Sequence, residues 1–178
     1  MSRQIKQLRK ELEKKQVQLA EEMNAIAPWK GPKRSFFSNS GTEAMEAAIK
    51  LARYHTKRNG IIAFLGSFHG RTMGSLSLTS SKAIQRRGFG PPLPGVYHAP
   101  FPNPYRRADG QSEEAVADAA LDYIESNILV HLVAPDEVAA VVFESIQGEG
   151  GYVVPPRSFV ERLRTLTSRH GILLVVDE

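Results

Sequence analysis

The chain of 178 residues contains no cysteine, which excludes a disulfide framework, a thiolate metal site and a cysteine nucleophile. It also has no run approaching the ~18 consecutive apolar residues that a membrane-spanning helix needs. Its first residues are rich in Lys, Arg, Glu and Gln around no apolar core, so they do not read as a secretory signal. These absences point to a soluble, cytoplasmic protein. Fourteen glycines and eleven prolines are ordinary numbers, which removes collagen-like and low-complexity readings. The five histidines, His55, His69, His98, His131 and His170, show no paired ligand spacing, so no metal is expected.

What is present is a chain that is 42% hydrophobic and 24% charged. That is too apolar for intrinsic disorder and long enough for roughly one domain. The formal charge of +4 is unevenly spread. Residues 1–34 hold nine Lys/Arg against four Glu, and the other 144 hold fourteen basic and fifteen acidic groups. A basic helix can touch a phosphate backbone. No groove-reading motif or aromatic interleaving accompanies this one, so neither nucleic acid nor a membrane is expected as a partner.

Ile5, Leu8, Leu12, Leu19, Met23 and Ile26 recur at helical spacing. They predict an amphipathic helix over residues 2–25, ended by Pro28 and the Trp29-Lys30-Gly31-Pro32 loop. Residues 1–30 are thus read as a helix with its exit loop, and 31–178 as the main domain. There the chain alternates. Helices are predicted over 43–57, 112–129 and 156–170, with a short helix or turn before Thr79. Strands are predicted over 61–65, 96–98, 138–143 and 172–176. Residues 87–110 read as a Pro- and Gly-rich excursion. Strands that are apolar on both faces and alternate with helices imply an α/β fold, a mostly parallel sheet with helices on both faces. Ligands in such folds gather at the carboxyl ends of the strands.

Each of those ends runs into polar residues. Ser40-Gly41-Thr42-Glu43 combines a capping box with a glycine at a helix entrance, where backbone N–H groups and a hydroxyl can meet an anion; the same pattern also describes an ordinary capped helix. Phe68 and His69 follow a strand, where the ring can stack on a planar ligand and the imidazole can exchange a proton; a core plug beside an exposed histidine is the plainer reading. Asp177 ends an apolar strand, and a partly desolvated carboxylate there needs a cationic or donor partner. A solvated strand end would look the same in sequence. Gln147-Gly148-Glu149-Gly150-Gly151 is a glycine-rich loop in which Glu144 and Glu149 could pair as acid and base, or simply be solvated.

In order and spacing, Asn-Ser-Gly-Thr-Glu-Ala at 39–44, Ser-Phe-His-Gly-Arg-Thr at 67–72, Phe-Glu-Ser-Ile-Gln-Gly-Glu-Gly-Gly at 143–151 and Leu-Leu-Val-Val-Asp-Glu at 173–178 resemble the class III, fold type I aminotransferases. The Val-Tyr-His-Ala-Pro-Phe-Pro-Asn-Pro stretch at 96–104 is most similar to the 4-aminobutyrate branch. The resemblance implies the large domain of a homodimeric enzyme that uses pyridoxal 5'-phosphate. Its substrates would be an omega-amino acid, of the 4-aminobutyrate or ornithine type, and 2-oxoglutarate. An amino-acid racemase or epimerase of the same fold is the alternative within the resemblance. By the same resemblance, Gly41 and Thr42, with Ser40 beside them, bind the cofactor phosphate. Phe68 stacks on the pyridine ring with His69 as its neighbour, and Asp177 holds the pyridine nitrogen protonated. Glu149 pairs with a later arginine, and Glu144 lies in the same wall.

Two departures stand out. Ser145 replaces a usual proline. None of the nine lysines sits in the motif of the family's Schiff-base lysine, which lies beyond Glu178, and Lys82 matches an unrelated surface position. The large domain is therefore read as incomplete, its C-terminal part and the small domain being absent. The chain alone is expected to be an inactive, non-catalytic fragment.

Overall fold

The structure, a computed structural model, describes residues 3–178. It forms two compact units that divide between Ser38 and Asn39. Ser2, the expected first residue of the leading helix, lies outside the described residues.

In the first unit, helix α1 spans Arg3–Ile26. Gln7 and Glu11, and Gln18 and Glu22, form i,i+4 side-chain hydrogen bonds at 3.0 Å along it. The helix stops where Pro28 removes an N–H and restricts the preceding residue. The Lys33 ammonium then donates to the carbonyls of Asn24 (2.7 Å) and Ala27 (2.8 Å), placing a cation on the negative end of the helix. The residues that predicted this helix, Ile5, Leu8, Leu12, Leu19, Met23 and Ile26, are exposed.

The second unit is built on four strands, β1 (Gly60–Phe64), β2 (Val96–Ala99), β3 (Val138–Glu144) and β4 (Leu173–Asp177). They pair in the order β2-β1-β3-β4, every pair parallel. Alternate residues serve opposite faces. On one face Ile62, Phe64, Val141 and Phe143 pack on α5 (Glu113–Tyr123), the segment that follows it and α6 (Arg157–Arg169). Phe64, Phe101 and Phe159 meet edge to face there, with centroids 5.7–6.0 Å apart. On the other face Ile61, Ala63 and Val142 pack with Met45 and Ile49 of α2 (Gly41–Thr56) and Leu78 of α3 (Met73–Leu78). The link from β1 out to β2 runs through α3 and the short α4 (Ala83–Arg86), whereas α5 and α6 serve the links running the other way. Links in opposite directions use opposite faces, as crossovers of a single hand require.

The expected strands and helices are present within a residue or two of their predicted ends. One differs in kind. The helix expected to run to Leu129 is α-helical only to Tyr123 and continues as a π-helix over Ile124–Leu132. Ile124, Ile128 and Leu129 are buried, so the wider turn keeps an apolar stripe on the core that a 3.6-residue period alone would not align. The irregular excursion also holds a 3-10 turn at Pro104–Arg106.

The chain leaves β1 for β2 on one side and returns to β3 on the other. The order therefore reverses between β1 and β3, and the loops after these two strands diverge around a crevice.

Candidate functional site

In the loop after β1 the buried Ser67 hydroxyl donates to the carbonyl of Phe64 at 2.6 Å and so turns the chain back on itself. Phe68 follows, half-buried, with the guanidinium carbon of Arg71 6.0 Å from its ring centroid. The Phe68 N–H donates to Glu144 Oε2 at 3.2 Å, and the Gly148 N–H donates to Glu144 Oε1, also at 3.2 Å. Glu144 thus ties the two diverging loops together at the switch point, and its oxygens are engaged by backbone rather than by Glu149.

His69 is 3% exposed, and its N–H donates to the Thr79 hydroxyl at 2.9 Å. Its Nδ1 lies 2.8 Å from Oδ2 of Asp177, which β4 carries beside Glu144 in the strand register. A carboxylate only accepts, so Nδ1 carries the hydrogen. The other ring nitrogen, Nε2, is buried and has no hydrogen-bond partner, a costly state for a polar atom. Behind the loop, His98 donates from Nε2 to the Leu78 carbonyl at 3.1 Å. Burial lowers the His98 pKa below its usual 6.5, the Leu78 hydrogen bond opposes that, and Arg86 and His69 add to it. An open cleft of about 600 Å³ is lined by Phe68, Glu144, Ser145, Ile146, Gly148, Asp177 and Glu178.

Helix α2 begins nearby in the fold sequence with Ser40 as N-cap, its hydroxyl accepting from the Glu43 N–H at 3.4 Å. Glu43 reaches back to the Asn39 N–H at 2.7 Å, one residue earlier than the capping box predicts. A side chain built at Gly41 would meet no protein atom within 4 Å. Packing does not demand glycine there, and the N–H groups of Gly41 and Thr42, at the very start of the helix, have no intrahelical acceptor. Thr42 bonds through its hydroxyl to Thr72 (3.0 Å), in the loop after β1, and to Ser75 (2.6 Å), in α3.

The glycine-rich loop is a small hairpin. Gln147 and Val153 form an antiparallel bridge, and the buried Gln147 amide donates to the Leu65 carbonyl at 2.9 Å. Side chains at Gly66 or Gly150 would collide with the Gln147 Oε1. At the tip, Glu149 pairs with Lys82 at 2.8 Å, both side chains being largely exposed. The hydrogen bond and charge of Lys82, with Arg71 further off, hold the Glu149 pKa below its ordinary value. Lys82, expected at an unrelated surface position, is thus the partner of a candidate substrate-wall residue.

His69, Asp177, Phe68 and Glu144 therefore converge at the switch point. Ser40, Gly41 and Thr42 are joined to it through the loop after β1, and Glu149 lies on the hairpin above the same strand ends. Sequence reasoning missed Glu46, Ser75 and Thr79; it held Thr72 and Gln147 inside motifs without giving them a role, and it set Lys82 aside as a surface position. Their contacts join segments tens of residues apart, and no local spacing announces them.

A parallel sheet covered on both faces, with its cleft at the switch point, defines an open, doubly wound α/β domain. Residues 5–178 match the family described as aminotransferase class-III, and the chain belongs to that family. It is 43% identical over 162 residues to a probable 4-aminobutyrate aminotransferase of Bacillus subtilis, an alignment covering 91% of this chain and 37% of that protein. It is 40% identical over 166 residues to an alanine/serine racemase of Pyrococcus horikoshii, covering 91% of this chain and 35% of that one. Among solved structures it superposes on an omega transaminase from Pseudomonas jessenii in complex with PMP. The TM-score there is 0.82 at 34% identity, over 90% of this chain and 36% of that one. The chain thus spans little more than a third of the length of these relatives.

Proposed function

We propose that this chain is part of the cofactor domain of a pyridoxal 5'-phosphate-dependent aminotransferase. In the whole protein, a homodimer by family resemblance, the reaction would move an amino group from an omega-amino acid of the 4-aminobutyrate or ornithine type to 2-oxoglutarate. The observation that carries the reading is the His69–Asp177 pair beside Phe68. Oδ2 accepts the Nδ1 hydrogen, which leaves Oδ1 for a second donor. A protonated pyridine nitrogen is a donor of that kind, and Phe68 supplies a ring face at the same strand ends. When bound, the cofactor supplies an electron sink for the substrate's alpha carbon. Gly41 and Thr42 would hold its phosphate at the start of α2, with Ser40 capping the helix. Glu149, held at the hairpin tip by Lys82, is suited to moving aside for a substrate carboxylate.

The test is titration of the 178-residue chain with pyridoxal 5'-phosphate, followed by calorimetry and amide NMR. Binding should perturb Gly41, Thr42, Phe68 and His69. Asp177→Asn should weaken it by tenfold or more, about 1.5–3 kcal/mol for a charged hydrogen bond. Perturbation elsewhere, or an unchanged affinity in Asp177→Asn, would refute the reading. Among the described residues no lysine lines the cleft, so the chain alone should show no transaminase activity. A stoichiometric lysine adduct, trapped with borohydride and mapped by mass spectrometry, would overturn that expectation.

The identity to the alanine/serine racemase favours one second reading, racemisation of an amino acid on the same cradle. Chiral chromatography separates the two in the whole protein: racemisation converts a single enantiomer to a mixture without 2-oxoglutarate, whereas transamination needs the oxo acid and yields glutamate.

A further inference from the structure

The Thr42 hydroxyl does not stand alone at the start of α2. Its oxygen lies 2.6 Å from the Ser75 hydroxyl and 3.0 Å from that of Thr72, and it accepts from the Thr72 N–H at 3.4 Å. One turn further along α2 is Glu46, a residue no motif singled out. Its carboxylate accepts from the Thr72 hydroxyl, from the Gly74 N–H at 2.8 Å and from the Ser75 N–H at 3.1 Å. Glu46 therefore fixes the first turn of α3 and uses the one hydroxyl hydrogen that Thr72 has. The cluster is closed on both sides by glycine. A side chain at Gly70 would overlap the hydroxyls of Thr42 and Ser75, and one at Gly74 would overlap the Glu46 carboxylate.

Counting hydrogens gives the consequence. A hydroxyl has one hydrogen and two lone pairs. With Ser75 donating across the 2.6 Å contact and the Thr72 N–H donating as well, both lone pairs of Thr42 are engaged. Its own hydrogen then goes to Thr72 Oγ1, 3.0 Å away, whose hydrogen is already spent on Glu46, so the Thr42 side chain is fixed in a closed network at the first turn of α2, next to the open ground at Gly41. We propose that Glu46 is a positioning residue for the phosphate of the cofactor: by taking the Thr72 hydrogen it leaves Thr72 as the acceptor for Thr42, and so holds the first turn of α2 where its N–H groups would meet the phosphate. The proposal rests on the cofactor reading above and extends it to a residue two steps away from the ligand.

The experiment compares two probes, pyridoxal 5'-phosphate and pyridoxal, which differ only in the phosphate, by calorimetry on the 178-residue chain. Thr72→Val, which keeps shape and N–H but removes the hydroxyl, and Glu46→Ala, which removes the acceptor, should each weaken the phosphorylated probe about fivefold, the effect of one mispositioned hydrogen bond. Affinity for pyridoxal should stay unchanged. Thr72→Ser and Glu46→Gln, which restore a hydroxyl and an acceptor oxygen, should recover most of the loss. Equal losses for both probes, no loss, or failure of the conservative variants to rescue would overturn the proposal. If the unsubstituted chain itself binds the phosphorylated probe no more tightly than pyridoxal, the cofactor reading of Gly41 and Thr42 has failed, and the role of Glu46 falls with it. If the unsubstituted chain discriminates and both variants discriminate equally well, only the role of Glu46 is lost.

Discussion

Where the strands of the sheet begin, the Arg58 guanidinium lies within hydrogen-bonding distance of the carbonyls of Val138 (3.2 Å), His170 (3.0 Å) and Gly171 (3.2 Å). Arg53 similarly donates to Asn59 (3.0 Å) and Pro94 (2.7 Å). Cationic side chains at this end satisfy backbone oxygens and join segments distant in sequence. Where the strands finish, side chains engage one another instead, and capacity is left unused. Asp177 and His69 pair at 2.8 Å, His69 Nε2 is buried without a partner, and Gly41 opens on empty ground. One end of the sheet has its polar groups closed within the protein, and the other keeps polar groups in reserve. A reserve of that kind is unfavourable in the folded chain unless a ligand uses it.

Paired substitutions should separate the two ends. Arg58→Met keeps the aliphatic stem but removes the donors. It should cost about 2 kcal/mol in urea unfolding, the scale of charged hydrogen bonds to backbone, and leave affinity for pyridoxal 5'-phosphate unchanged. Asp177→Asn should do the reverse: its amide oxygen can still accept from His69 Nδ1, so it should cost no more than about 1 kcal/mol, the scale of one hydrogen bond, while weakening the cofactor. If Arg58→Met disturbs binding as much as Asp177→Asn does, the division between the ends is false.

A smaller effect probes the buried side of the ligand end. His98 has a folded pKa below its usual 6.5, chiefly through burial. As pH falls below about 6.5, the unfolded chain takes up a proton before the folded one does. Stability from this group is therefore complete above that pH and declines below it. His98→Gln keeps a donor for the Leu78 carbonyl and should flatten part of the decline between pH 7.5 and 5.5 in urea unfolding. An unchanged slope would mean that His98 does not set the acid sensitivity of this end.

The contrast between the ends also marks how far the sequence could be read. Strands such as Ile61–Phe64 and Val138–Phe143 are continuous apolar runs, and their burial follows from local composition. Ser40, Phe68, His69 and Asp177 stand at strand and helix ends, where α/β topology says to look. What stayed illegible was pairing. That Asp177 holds His69 across 108 positions, or that Glu46 meets Thr72 across 26, depends on strand order and on which face each crossover takes. The π-helical turn after Tyr123 was hidden for a different reason: its apolar residues satisfy a helical pattern equally well until the period itself widens.

The pairing of Glu149 with Lys82 gives the smallest effect and the finest test, because it lies at the ligand end yet resembles the closed end in being a satisfied ion pair. Both side chains are largely exposed, and exposed pairs contribute little to stability. Its consequence should therefore appear in titration rather than in unfolding. The hydrogen bond and charge of Lys82 depress the Glu149 pKa, with a smaller contribution from Arg71. A depressed carboxylate favours the folded state above its unfolded pKa, and that contribution disappears as pH falls through the folded one. Lys82→Met should raise the Glu149 pKa toward its ordinary value, followed by side-chain carboxyl NMR, with no measurable change in melting temperature. It should also speed hydrogen exchange at Gly150 and Gly151, since the hairpin tip loses its anchor to the segment before α4. A lowered melting temperature would make the pair structural, like Arg58. A raised pKa with an unaltered melting temperature would leave Glu149 as a residue held at the cleft by charge alone, and so one that a competing charge can draw away.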